Sequence, residues 1–296
     1  MSGHDTFSGA DAQILDRGYR KYDGPRTGVN GAMAAVVLHS VQRALGLRRP
    51  VWAKVLPVIT IALAYVPAIV FVGIIALFPK KQTASLLLPS YGDYYGYVIA
   101  AIMLFVALVA PEVLCTDRRS GMLGVYLASP LDRDTYLVAK ALSIAAVLSL
   151  VCLGPPLLML VANVLQSTGP TGIGNILDTT WRVLAAGAAL TLLFTGITMG
   201  ITSLTDRKAV AAAAIILLFL ISISMTGSFH AVGAANGVFA FAPTLLALEL
   251  AQRVHGEYSP IMDGVPGVTV WLAWAAWTFG GFALAYRRLH HLPVTR

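Results

Sequence analysis

Six long apolar runs, separated by charged, aromatic or Gly/Pro-rich stretches, set the plan of the chain. They cover about residues 55–78, 94–111, 141–162, 183–204, 209–225 and 268–286, and each is long and apolar enough to cross a bilayer as a helix. Trp52 and Lys54 anchor one end of the first run and Lys80-Lys81 the other. Tyr91, Tyr94, Tyr95 and Tyr97 crowd one end of the second as an aromatic belt. Gly154-Pro155-Pro156 predicts a kink or break within the third, and Ser167-Thr168-Gly169-Pro170 a flexible loop after it. Trp181 and Arg182 mark the start of the fourth, and Asp206-Arg207-Lys208 turns the chain tightly into the fifth. Residues 209–248 carry no formal charge over forty residues, too long for one span and awkward for two. Gly227, Gly233, Gly237 and Pro243 interrupt this stretch. It therefore reads as a span followed by a short re-entrant helix over 243–254, then an exposed linker over 256–266.

Ahead of the first span, Val29, Met33, Val36, Val37, Val41, Ala44 and Leu45 recur at helical spacing, with Asn30, Ser40, Gln42 and Arg43 opposite. Arg48-Arg49-Pro50 ends the pattern. A helix lying in the membrane interface over 28–49 is predicted. Residues 1–27 are polar and Gly-rich, so no cleavable signal peptide is expected and the first span is the targeting signal.

Composition narrows the class. With 57% apolar residues, 12% charged residues and a positive mean hydropathy, an ordinary soluble domain is excluded. The formal charge of +7 would suit a nucleic-acid binder, but the placement of the basic residues argues otherwise. Seventeen of the 21 Lys and Arg residues fall on the side that holds both termini and the 112–140 loop. Lys80, Lys81, Arg182 and Arg253 fall on the other. The positive-inside rule then puts both termini in the cytoplasm, and the surplus charge reports topology with no nucleic-acid partner. Cys115 and Cys152 lie on separate spans, so neither a disulfide nor a metal site is expected.

Proton- or sodium-coupled carriers bury ionisable groups along their path. Here only Glu112 approaches the membrane, where a salt bridge to Arg118 or Arg119 would fix the bend. The energy source is therefore expected outside the spans. It is not expected in this chain either: no Gly-x-x-x-x-Gly-Lys-Ser/Thr phosphate cradle occurs, and the length leaves no room for an ATPase domain beside six spans. A Gly-x-Ser-x-Gly elbow and a His-Glu-x-x-His pair are also missing, which argues against a membrane hydrolase or protease. His39, His230 and His255 stand alone, and His290-His291 reads as a chance weak metal binder at most.

The 112–140 segment organises the rest. Asp117, Arg118 and Arg119 followed by Ser120-Gly121 mark the chain leaving the membrane, because charge faces hydrocarbon only at high cost. Met122, Leu123, Val125, Tyr126 and Leu127 supply an apolar stripe on a short exposed helix. Ser129-Pro130-Leu131-Asp132 then reads as a helix start, with Ser129 as cap, Pro130 at the first position and Asp132 closing a capping box. The spacing of Glu112, Asp117-Arg118, Gly121-Met122-Leu123, Leu127, Ser129-Pro130-Leu131, Arg133 and Lys140 resembles the cytoplasmic loop of ABC-2-type ABC transporter permeases. Asp117 stands where that family usually has Glu, which keeps the charge.

The resemblance implies that this segment is a coupling helix docking on a separate ABC ATPase. Glu112, Asp117, Arg118, Arg119, Gly121, Met122, Leu123, Leu127, Ser129, Pro130 and Arg133 are then the coupling residues. It further implies two ATPase copies that hold ATP and Mg, no cofactor in this chain, and a second permease, identical or similar. The basic and aromatic stretch 14–26 reads either as a tail attracted to anionic membrane lipid or as a clip on the ATPase. The expected architecture is an all-α integral membrane protein with six transmembrane helices in a bacterial inner membrane. Its parts are a flexible cytoplasmic arm (1–27), the interfacial helix (28–49), an ABC-2-type transmembrane domain (50–289) with an outer re-entrant helix before the last span, and a cytoplasmic tail (290–296). Importer permeases carry a Glu-Ala-Ala-type loop that is not found here, so export is expected. Uncharged spans suit an amphipathic or hydrophobic cargo such as a drug, lipid or natural product. Trp271, Trp274 and Trp277, three apart on the last span, either line a substrate path or pack the bundle and face lipid. Two alternatives from other classes are a membrane anchor or assembly subunit without its own path, and a gradient-driven secondary carrier.

Overall fold

A computed structural model describes residues 24, 28–47, 49–77, 89–127, 130–231 and 236–291. Among them the regular structure is entirely helical, with no strand. Most of the arm 1–27, Lys80-Lys81, Ser129, Gly233 and the tail beyond His291 lie outside the described residues, as do the side chains of Leu123, Leu127 and His230.

The interfacial helix α1 (Gly28–Ala44) precedes α2 (Val51–Leu77), the first span. The second span is one 29-residue apolar stretch in two pieces, α3 (Tyr91–Leu108) and α4 (Pro111–Arg119). Pro111 has no N–H to continue the ladder, so the helix restarts there and carries on past the predicted end. A five-residue helix α5 (Leu123–Leu127) leads to α6 (Arg133–Cys152) and α7 (Gly154–Leu165). Next come α8 (Ile173–Leu204) and α9 (Lys208–Ala231). A 3-10 turn at Asn236–Phe241, the short helix α10 (Pro243–His255), a second 3-10 turn at Pro260–Met262 and the last span α11 (Gly267–His290) follow. Among the described residues, six helices are thus long and apolar enough to cross a membrane.

The second span is the axis of the bundle. Its most apolar window is 83% buried, against 22% for the first, fifth and sixth spans, which face outward. Tyr94 and Tyr95 are therefore fully buried core residues and not an interfacial belt, whereas Tyr97 is exposed. Their burial has a chemical reason. Pro155 and Pro156 offer no N–H to the carbonyls at the end of α6, and the Tyr95 hydroxyl donates to Cys152 O at 2.9 Å instead. The Tyr65 hydroxyl donates to Leu150 O at 3.0 Å, and Gly154 leaves room for that ring, because a Cβ there would overlap the Tyr65 oxygen. The predicted break in the third span is thus real, and tyrosines from α2 and α3 stitch it.

Two boundaries differ from the sequence expectation. Helix α8 begins ten residues before residue 183, because 173–182 satisfies itself: Thr179 and Thr180 bond carbonyls one turn back and Arg182 pairs with Asp178 at 2.8 Å. Helix α6 begins at Arg133 with Asp132 as an extended N-cap residue, so Pro130 lies outside the helix and Asp132 closes no capping box. The predicted re-entrant helix is present as α10. Its Glu249–Arg253 ion pair (2.5 Å) is buried, with the carboxylate also accepting from Ser259 N–H (3.2 Å) and the guanidinium donating to Val265 O (2.7 Å). That pair fastens 256–266 onto α10, so ionisable groups are less rare inside the bundle than the apolar runs suggested.

Candidate functional site

The site lies at the end of the bundle that carries α1, α4 and α5. Helix α4 stops at a paired C-terminal motif in which Gly121 N–H donates to Arg118 O (3.4 Å) and Met122 N–H to Asp117 O (3.1 Å). This closure needs a left-handed residue, and Gly121 supplies φ +68°. Helix α5 follows at once. Arg119, Gly121, Met122 and Val125 are exposed, Val125 at 62%.

Beneath α5 sits a cluster in which two carboxylates meet four cations. Asp117, 2% exposed, pairs with Lys140 (2.5 Å) and Arg43 (3.3 Å) and accepts from the Tyr136 hydroxyl at 3.3 Å. Lys140, 1% exposed, also donates to Ser40 Oγ (2.7 Å) and lies 5.6 Å from the centroids of both the Tyr126 and Tyr136 rings. Glu112 is buried and pairs with Lys208 (2.6 Å), Arg49 (2.9 Å) and Arg43 (3.8 Å). Four elements meet here: α1 and the turn after it, α4, α6 and the start of α9. A buried pair costs desolvation that only good geometry and added hydrogen bonds offset, and both carboxylates have several partners. Tyr126 brings α5 into the cluster. Its ring lies 5.5 Å from Tyr136, and burial raises its hydroxyl pKa, with the Asp117 charge adding to the shift.

Two arginines flank α5 and grip helix ends. Arg118 Nη1 sits among the carbonyls of Ser203 (2.6 Å), Thr202 (3.2 Å) and Thr205 (3.3 Å), where α8 ends. Arg133 Nη1 donates to His290 O (2.6 Å) and Leu289 O (2.9 Å), where α11 ends. Helix C-termini carry unpaired carbonyls and partial negative charge, which a guanidinium fork satisfies.

The sequence-predicted coupling residues therefore divide. Arg119, Gly121, Met122 and Pro130 are exposed. Glu112 and Asp117 are buried in the ion cluster, and Arg118 and Arg133 hold backbone carbonyls. The expected bridge from Glu112 to Arg118 or Arg119 is absent; the partners of Glu112 come from α1, the turn after it and α9. Sequence reasoning missed Ser40, Arg43, Arg49, Tyr126, Tyr136 and Lys208 as members. Lys140 was the available signal, a lone lysine at the head of an apolar run.

Trp274 Nε1 donates to Ala189 O (2.9 Å) and Trp277 Nε1 to Phe241 O (3.0 Å), while Trp271 meets Trp274 edge-on and is exposed. Trp277 borders two apolar cavities. One, of about 180 Å³, lies among α9, the 3-10 turn and α10; the other, of about 330 Å³, lies between α9 and the α8–α11 seam. Among the described residues, no group of three or more His, Cys, Asp or Glu is placed to hold a metal.

Among the described residues, six helices long and apolar enough to cross a membrane, one of them a buried central span, with a short exposed helix set over an ion-pair cluster at one end, define a multi-pass membrane protein. A family model described as ABC-2 family transporter protein matches residues 76–286, and the chain belongs to that family of ABC transporter permeases. Its members are membrane subunits of ABC transporters, partnered by an ABC ATPase. No curated protein matches the chain.

Proposed function

We propose that this permease is the membrane subunit of an ATP-driven exporter and that α5 is the coupling helix on which its ATPase docks. The observation that carries the reading is the contrast between a short helix with exposed apolar residues and the charged, fully partnered cluster beneath it. A partner that binds Met122 and Val125 would push on a rigid base and not on a soft loop. In this reading two ATPase subunits bind ATP and Mg, a second permease, identical or similar, completes the path, and closure of the ATPase pair moves the spans as rigid units. The concentration of Lys and Arg at the α5 end supports a bacterial inner-membrane protein with both termini cytoplasmic. Apolar cavities bordered by Trp277 support an amphipathic or hydrophobic cargo.

The test is Val125→Asp, a change at an exposed position that disturbs no described contact. The ATPase should no longer co-purify, while the permease keeps its yield and thermal stability. Retained co-purification and full transport would favour an anchor without a transmission role.

A further inference from the structure

We infer that α8 and α11 form one welded unit, and that Arg118 and Arg133 are positioning residues that transmit the movement of α5 to it. The inference rests on the coupling reading of α5 and goes beyond it by naming what is moved and by which contacts.

The weld is visible at backbone level. Gly196 faces Thr278 and Gly281 so closely that a Cβ on Gly196 would strike the Thr278 backbone, and one on Gly281 would strike the Gly196 carbonyl. One turn on, a Cβ on Gly200 would come within 3.1 Å of Gly281 Cα. Trp274 adds a hydrogen bond to the α8 backbone at Ala189. Two helices in main-chain contact over successive turns have no side-chain layer between them that can reshuffle.

Part of the seam on each side of this pair is open. An apolar cavity of about 550 Å³ lies between it and α6, bordered by Leu142, Leu192 and Phe282, and one of about 330 Å³ separates it from α9. The pair is thus in main-chain contact internally and borders open grooves along part of each flank, while a Cβ on Gly187 would strike Leu153, so α8 is held close to α6 at the far end from α5 and can pivot there. The pair's handles are at one end. Arg118, just before α5, holds the last carbonyls of α8, and Arg133, just after α5, holds those of α11. A displacement of α5 pulls on both.

The experiment uses the permease in complex with its co-purified ATPase, reconstituted in lipid. Spin labels are placed at Leu142 on α6, Leu192 on α8 and Phe279 on α11, all exposed positions. The buried Cys115 and Cys152 stay in place. Distances are read with and without a non-hydrolysed ATP analogue. The expected result is that 142–192 and 142–279 change together while 192–279 stays fixed. Arg133→Gln, which removes the guanidinium from the α11 carbonyls and leaves His290 against Asp134 (2.9 Å), should reduce both changes by the same fraction, because α8 still drags its neighbour; Arg118→Gln should do likewise, and the double variant should reduce both further. Arg133→Lys should restore part of the movement, and ATPase co-purification should be unchanged throughout. Loss of the 142–279 change alone in Arg133→Gln overturns the weld while leaving the coupling reading intact. A parent complex whose distances ignore nucleotide overturns the coupling reading and the inference with it.

Discussion

Asp117→Asn is the substitution with the largest consequence that the ion cluster predicts. Asp117 and Lys140 are 2% and 1% exposed, so water screens neither. Removing the carboxylate leaves Lys140 with only Ser40 Oγ and two tyrosine rings, and leaves Arg43 facing it without the shared anion. Losing one partner of a buried pair costs about 3–5 kcal/mol. Lys140→Met is milder. Asp117 keeps Arg43 at 3.3 Å and the Tyr136 hydroxyl at 3.3 Å, so the loss is about 1–3 kcal/mol, that of a charged hydrogen bond. The double variant removes both charges and should recover about 2 kcal/mol relative to the sum. Reversible unfolding in mixed micelles, followed by the fluorescence of the half-buried Trp274 and Trp277, gives all three values. An Asp117→Asn protein within about 0.5 kcal/mol of the parent, or a Lys140→Met protein that loses more than Asp117→Asn, would refute the reasoning.

Adjacent glycines give a controlled contrast. Gly281→Ala should cost about 1–3 kcal/mol by overpacking, because its Cβ meets backbone that cannot yield, whereas Gly280→Ala, with nothing within 4 Å, should be neutral or slightly stabilising; the same unfolding assay separates them. Gly154→Ala should destabilise through the Tyr65 hydroxyl, and Tyr65→Phe, which removes the nearest atom, should make the double variant cost less than the sum of the singles. Burial holds the His255 imidazole below its ordinary value of about 6.5. The neutral ring is thus the folded form: stability is complete above that value and is lost as pH falls from it through the lowered folded value. The groups around the ring are Tyr91, stacked at 6.1 Å, Glu257 and Arg182. Mild acid should therefore speed proteolysis of the 256–266 loop, and His255→Phe, which keeps the stack, should flatten that response.

The spans and the re-entrant helix were legible because hydropathy and Gly/Pro punctuation are local. The axial role of the second span was not legible: Tyr95, which read as part of an interfacial belt, donates to a carbonyl that a proline on another helix leaves unpaired, a pairing across 57 positions with Cys152. The ion cluster was not legible for the same reason. Glu112 looked like a partner for Arg118 by nearness in sequence. Six positions along a helix put the two on different faces, though, and seven put Arg119 about two turns away. The true partners are 63, 69 and 96 positions distant, at Arg49, Arg43 and Lys208. The interfacial helix also has a second role that its pattern did not announce, since the face that carries Val36, Ser40 and Ala44 is buried against the bundle and not in lipid.

Placement of α5 against the ATPase decides the central claim. Val125→Cys, in membranes holding the intact complex, should cross-link to the ATPase subunit with a yield that changes with nucleotide, and should resist an impermeant thiol reagent added from outside the cell. Labelling from outside, or a complex in which that cysteine never reaches the ATPase, would contradict it.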